Sequence, residues 1–302
     1  VTKVGPEDSI KACYSTWDRS YYHDYYGPGA TYPPVHRDLV RGLLREAGAR
    51  SLLDAGCGPA SLLRDLTDLG LELFGFDLTP EMVEEARRVL GERGVPAEHV
   101  WEGSVLSPEA FRPPGEAPRQ FDAAICIGVL PHIPEAELDR VFENLAGSVK
   151  PGGMVVVEGR NELFALFTQN RYSFEFFRDR LIRARELVQQ DPGGAEALDR
   201  ALGDLEGHFR MDLPPTRGGK AGEPGYDQIL SRTDNPLVLR ERFVRAGFDG
   251  ARLLFYHYHA LPPFLAGHAP EVFRQASLAL EDPDDWRGHF MASAFLLCGR
   301  KR

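Results

Sequence analysis

Ser51-Leu52-Leu53-Asp54-Ala55-Gly56-Cys57-Gly58 decides the fold: a short apolar run, then an acid and two glycines, feeding a helical pattern from Ala60 to Leu69. A strand that ends this way offers backbone N–H groups at a helix N-terminus, with no Cβ to keep a ligand away. A dinucleotide turn would read G-x-G-x-x-G, but Ser61 stands where its third glycine should be. Asp54 points the same way, because a carboxylate repels a pyrophosphate and attracts an ammonium group. Asp77 closes the next apolar run, Leu71 to Phe76. An acid at the end of the second strand of a doubly wound sheet is placed to accept hydrogen bonds from both hydroxyls of a ribose.

Outward from this turn, strands and helices alternate. Val35, Leu39, Val40, Leu43 and Leu44 share one helical face that Gly48 closes. Pro80 to Leu90 is a second helix, with Thr79 as N-cap and Pro80 in its first position. Val100-Trp101 opens a third strand, Phe121 to Ile127 is a fourth, Glu135 to Ser148 is a helix, and Met154 to Glu158 is a fifth strand. This rhythm predicts βαβ units and a parallel sheet covered on both faces. It fails after Glu158, where Asn161 to Gln190 is helical and Gly203 to Asp234 is rich in Gly, Pro and polar residues, so an insertion with a mobile loop is expected. It resumes with a helix over Leu237 to Ala246, a strand over Ala251 to Tyr258 and a closing strand over Phe290 to Cys298.

In this order and spacing, the chain resembles the class I S-adenosylmethionine-dependent methyltransferases. The segments that carry the resemblance are Leu53 to Gly58, Gly75 to Met82, Phe121 to Cys126, Leu130 to Ile133 and Leu145 to Gly153. The resemblance implies an α/β, doubly wound, seven-stranded and mostly parallel sheet, the Rossmann-like methyltransferase fold. It implies S-adenosyl-L-methionine as cofactor and S-adenosyl-L-homocysteine as product. By residue, Asp54, Gly56 and Gly58 would face the methionine part, Asp77 the ribose and Leu78 the adenine. Ile127 and Gly128 would line the methionine and sulfonium channel. Ser104 stands where the family often has an acid that reads the adenine amine, and Ala60 replaces a further glycine. The chain then divides into an aromatic helical arm or lid (1–35), a cofactor-binding core (36–160), a helical insertion capping the acceptor site (161–235) and the completion of the core sheet (236–302).

Methyl transfer needs a base only if the acceptor must lose a proton. His132 follows the fourth strand, near the sheet edge where ligands bind, and is one candidate; packing ahead of Pro134 is the alternative. His257 and His259 lie two apart, so they share one strand face, where they either meet substrate or close the sheet. In the arm, Tyr14, Trp17, Tyr21, Tyr22, Tyr25 and Tyr26 offer π faces and hydroxyls to a cationic ligand. Tyr14 and Tyr22 are taken as cofactor contacts. Phe164, Phe167, Tyr172, Phe174, Phe176 and Phe177 in the insertion would wall an apolar acceptor pocket.

Composition narrows the classes. The 302 residues are 43% hydrophobic and 26% charged, ordinary for a globular chain. A net charge of −10 opposes nucleic acid as a partner. No apolar stretch reaches the roughly 20 residues of a membrane span, and the first residues do not read as a secretory signal. The four cysteines form no C-x-x-C pair, so reduced thiols, no metal site and a cytoplasmic location are expected. The expected partner is a small-molecule methyl acceptor, a sugar or specialised metabolite included, methylated on oxygen or nitrogen. Two rivals stay open: a nicotinamide-dependent oxidoreductase, and a non-catalytic module that binds S-adenosylmethionine. The identity of the acceptor and the oligomeric state are not written in the sequence.

Overall fold

All five residues of β1 (Ser51–Ala55) are buried, as a strand must be when helices cover both faces of its sheet. The structure is a computed structural model that describes residues 6–15, 33–115, 119–190, 192–213 and 229–302. Beside β1, the sheet contains β2 (Glu72–Asp77), β3 (Val100–Glu102), β4 (Phe121–Cys126), β5 (Val149–Arg160), β6 (Phe248–Tyr258) and β7 (Ala292–Lys301). They form one seven-stranded sheet of order β3-β2-β1-β4-β5-β7-β6. β2 and β4 flank β1, both parallel to it, so Asp54 lies opposite Gly75 on one side and Ile125 on the other. β3 adds parallel to β2, β5 adds parallel to β4, and β7 runs antiparallel to β5. Chain order reverses between β1 and β4, and such a switch point leaves a crevice at the carboxyl ends of the strands.

The helices form where the periodicity places them. α1 (Pro6–Tyr14) belongs to the arm. α2 (Val35–Ala47) buries His36, Val40, Leu43 and Leu44 and ends at Gly48, whose φ of 62° is the left-handed conformation that glycine adopts at little cost. α3 (Ser61–Arg64) is shorter than the expected helix over Ala60 to Leu69. Ala60 sits at φ 58°, which delays the helix start, and after Arg64 the bonds tighten to i+3 spacing, ending in a 3₁₀ turn at Thr67–Leu69. α4 (Pro80–Gly91) buries Met82, Val83, Ala86, Val89 and Leu90, and α5 (Leu138–Ser148) buries Leu138, Val141, Phe142 and Leu145. Thr79 occupies the N-cap position of α4, but its side chain makes no capping bond.

The later helices are α6 (Ala165–Thr168), α7 (Arg171–Phe176), α8 (Ala184–Gln190), α9 (Ala195–Glu206), α10 (Pro236–Arg245), α11 (Pro270–Ala279) and α12 (Gly288–Met291). Thus Gly203 lies in a helix, and the closing strand starts at Ala292 because the chain is still helical from Gly288 to Met291. Residues 214–228 of the expected mobile loop lie outside the described residues. No helix among the described residues is long and apolar enough to cross a membrane.

By compactness, the chain forms two units. The first holds Val1–Arg160, Thr216–Leu254 and Ala294–Arg302, and the second holds Asn161–Pro215 and Phe255–Ser293. Sequence order alone groups 161–235 together; compactness groups 161–215 with 255–293. In the first unit, Phe142 of α5 meets Phe243 of α10 edge-on at 5.5 Å. In the second, the buried Asn161 amide donates to the carbonyls of Gly288, His289 and Ala292, tying segments about 130 residues apart.

Candidate active site

A cavity of about 470 Å³ opens at the carboxyl ends of the first four strands, a size suited to a small ligand. Each strand end contributes to its wall: Gly56 and Gly58 after β1, Asp77 and Leu78 at β2, Gly103 to Leu106 after β3, and Ile127 to Val129 after β4. The two glycines have positive φ, 88° at Gly56 and 53° at Gly58, which bends the strand into the turn. A Cβ on Gly56 would overlap the Val129 side chain, whereas a Cβ on Gly58 would meet open space. Gly56 is therefore required by packing, and Gly58 leaves room on the ligand side.

Asp77 organises this turn. Its Oδ2 accepts the Gly58 N–H at 2.8 Å and its Oδ1 accepts the Thr79 N–H at 2.9 Å. One carboxylate thus ties the β1 turn to the start of α4. Burial raises its pKa, opposed by the bonds from Thr79 and Gly58, which favour the charged form. Asp54 lies beneath the turn, 3% exposed, and its Oδ1 has no hydrogen-bond partner among the described residues. Burial first, and the nearby Asp77 charge second, push it up to about 8. Two carboxylates are held close here, one of them with an oxygen unused. A cationic ligand would relieve both conditions; a pyrophosphate would aggravate them. An ammonium and a ribose therefore fit the groups that are present.

The base candidate His132 also lines the cavity. Its Nδ1 is 2.8 Å from the Leu230 carbonyl, which can only accept, so Nδ1 carries the proton and Nε2 is the acceptor. The Tyr14 hydroxyl donates to that Nε2 at 2.9 Å. Burial lowers the ring to about 4, so it is neutral at ordinary pH. The segment after residue 228 keeps this geometry: the Arg232 N–H bonds the Pro131 carbonyl, its guanidinium bonds the Ile133 carbonyl at 2.7 Å and pairs with Asp234 at 2.7 Å.

Of the residues picked from sequence, Gly56, Gly58, Asp77, Leu78, Ser104, Ile127, Gly128, Tyr14 and His132 come together on one cavity, whereas Asp54, buried in β1, is not among its lining residues. Tyr22, like Trp17, Tyr21, Tyr25 and Tyr26, lies outside the described residues. His257 and His259 are not among the lining residues. His257 takes φ 57°, which breaks the strict alternation the pair was expected to follow, and His259 lies past the end of β6. His259 packs between Phe164 at 4.7 Å and Phe273 at 5.6 Å, and burial lowers it to about 4. Within the second unit, Phe164 also lies near Phe167, Phe174 and Phe176 are buried, and Tyr172 is exposed.

The sequence pattern missed Glu7, Asp8, Met82, Glu137 and Arg140, which share the wall. It also missed Glu158, within β5, which accepts the Gly128 N–H and is pushed up by burial to about 7. Glu7, Ile10 and Tyr14, at i, i+3 and i+7, share one face of α1, a signal present in the sequence beneath the more conspicuous tyrosines. All four cysteines are buried and none is in a disulfide.

Known proteins similar to this chain are methyltransferases. Residues 53–155 match a family model described as a methyltransferase domain. Among curated relatives, the ubiquinone biosynthesis O-methyltransferase of Xanthomonas euvesicatoria pv. vesicatoria (strain 85-10) is 34% identical over 134 residues, covering 44% of this chain and 52% of that protein. The chain thus spans about half the length of that relative. Glycine N-methyltransferase of Mus musculus is 25% identical over 244 residues, 75% of this chain and 78% of the relative. Among solved structures, magnesium protoporphyrin IX methyltransferase from Synechocystis PCC 6803, with bound S-adenosylhomocysteine, superposes with a TM-score of 0.52 at 15% identity. The match covers 99% of this chain and 100% of that one, and it shows a shared fold.

Proposed function

We propose that this chain is a class I S-adenosylmethionine-dependent methyltransferase that moves a methyl group from S-adenosylmethionine to an oxygen or nitrogen of a small organic molecule. The observation that carries this is the buried Asp54 carboxyl, with an unused Oδ1, held beside Asp77 under a glycine turn. Such a floor suits a ligand that brings its own positive charge. The bound cofactor supplies a methyl carbon activated by a positively charged sulfur.

The remaining work falls to the protein. Asp54 takes the ammonium of the methionine part, Asp77 takes the ribose hydroxyls, and Leu78 and Met82 supply apolar contact near the base. Orientation of the acceptor and exclusion of water are the main sources of rate in a displacement of this kind. α1 serves both by laying Glu7, Ile10 and Tyr14 along the cavity, which supports its role as a lid. His132 keeps its proton on Nδ1, and when the acceptor's hydroxyl or ammonium takes the place of the Tyr14 hydroxyl at Nε2, that nitrogen takes its proton. The relatives' names include both an O- and an N-methyltransferase, and the proposal keeps both atoms.

Titration calorimetry with S-adenosylhomocysteine and, separately, with NAD tests this reading. Micromolar binding of the first with none of the second is expected. Tight NAD binding without S-adenosylhomocysteine binding would replace the proposal with an oxidoreductase.

A further inference from the structure

Position 104, just past β3, is a serine, and its hydroxyl is not spare. It donates to Oε1 of Glu7 at 2.6 Å and accepts the Leu106 N–H at 3.1 Å. The carboxylate it holds comes from α1, 97 residues away in the chain. Lys11, one turn further along α1, pairs with Glu102 of β3 at 3.3 Å, so the same edge grips the helix twice. Glu7, Leu78, Gly103 and Ser104 line both the main cavity and the open groove beside it. With the ribose on Asp77, at the end of β2, the attached base must extend toward β3, the next strand outward. The Glu7–Ser104 pair stands on the cavity wall at that strand.

From these positions we infer that Glu7 is a specificity-determining residue, reading the exocyclic amine of the cofactor's adenine from the N-terminal helix, with Ser104 as the residue that positions it. This rests on the reading of the site as one for S-adenosylmethionine. A carboxylate has only acceptor sites, and an aromatic amine at the 6-position offers only donors. A 6-oxo base would put its own acceptor against the carboxylate and be refused. The Ser104 hydroxyl fixes one carboxylate oxygen, leaving the other for the ligand. A single helix then touches the ligand's two ends. Glu7 and Tyr14 are seven residues apart, about 10 Å along a helix axis, and Tyr14 holds the base candidate His132.

The test compares S-adenosylhomocysteine with S-inosylhomocysteine, which differs in carrying a 6-oxo group, by titration calorimetry against the wild-type chain, Glu7→Gln and Ser104→Ala. Wild type should prefer the adenosyl compound by roughly 10- to 100-fold, the range expected for one hydrogen bond to a charged group. Glu7→Gln, whose amide can present either an acceptor or a donor, should bring that ratio to about threefold or less, and Ser104→Ala should reduce it part of the way. If Glu7 only latches the helix, Glu7→Gln weakens both ligands equally and the ratio stays at its wild-type value, which overturns the inference while leaving the cofactor assignment intact. Binding of neither ligand by the wild-type chain would instead remove the cofactor assignment, and this inference with it.

Discussion

The hydroxyl of Tyr14 stands 2.9 Å from Nε2 of His132, although 118 residues separate them in the chain. The Leu230 carbonyl on the other side of the ring fixes which nitrogen can accept. Replacing His132 with Asn keeps a donor for Leu230 and removes the base. The expected result is a fall in kcat of about 10²- to 10⁴-fold with S-adenosylhomocysteine affinity held within about threefold, provided the acceptor must lose a proton. Because the ring is lowered to about 4, its loss of activity on acidification should fall near pH 4 and not near the ordinary imidazole value. Steady-state kinetics from pH 4 to 8, alongside calorimetry, check both; an unchanged kcat in His132→Asn would exclude the role.

Asp54 gives a proton-linked prediction. With its pKa raised to about 8, it holds a proton at neutral pH in the empty protein. Cys57 and Cys126, the buried thiols beside it, are pushed up as well and stay neutral. A ligand ammonium favours the ionised carboxylate, so binding at pH 7 should release a proton, and affinity should rise as pH increases toward 8. Calorimetry in buffers of different ionisation enthalpy reads the release, which should vanish in Asp54→Asn. The sign for stability follows from the same shift. The folded protein binds more protons than the unfolded chain between the ordinary carboxyl value and about 8, so this residue's contribution declines across that window as pH rises.

The paired glycines should separate stability from affinity. In Gly56→Ala the new Cβ overlaps Val129 at a positive φ, so the cost should appear as about 1–3 kcal/mol of lost stability. In Gly58→Ala the Cβ enters open space on the cavity wall, so the strain is smaller and the loss should appear mainly in ligand affinity. Urea unfolding and calorimetry on the two variants distinguish them; equal behaviour would show that the two positions are not specialised.

Asp77 accepts two backbone N–H groups and, in the proposed site, the ribose hydroxyls as well. Asn at this position would turn an NH₂ toward one of those donors, so Asp77→Asn should be no milder than Asp77→Ala. Both should weaken S-adenosylhomocysteine binding by about 1.5–3 kcal/mol and lower stability as the turn loosens. Retained affinity in either variant would show that the carboxylate serves the turn alone.

The parallel strands, the glycine turn and the acids on either side of it were legible because each is written in residues that are neighbours in the chain. β1, β2 and β4 are recognised by short, mostly apolar runs, and α2, α4 and α5 by a face repeating at helical spacing. The short α3 was not legible, since Ala60 carries no signal of its left-handed φ. His257 and His259 misled because alternation along β6 is interrupted at His257 itself.

What the sequence by itself determined is the sheet's rhythm and the glycine turn with Asp54, Gly56, Gly58 and Asp77, where local conformation and chemistry coincide. What only the tertiary structure decided is which distant groups complete the site: Glu7 against Ser104, Tyr14 on one nitrogen of His132 and the Leu230 carbonyl on the other. Those partners lie about a hundred residues apart. Periodicity records only which face a residue takes within its own helix or strand, and the docking of one element on another then sets which faces meet.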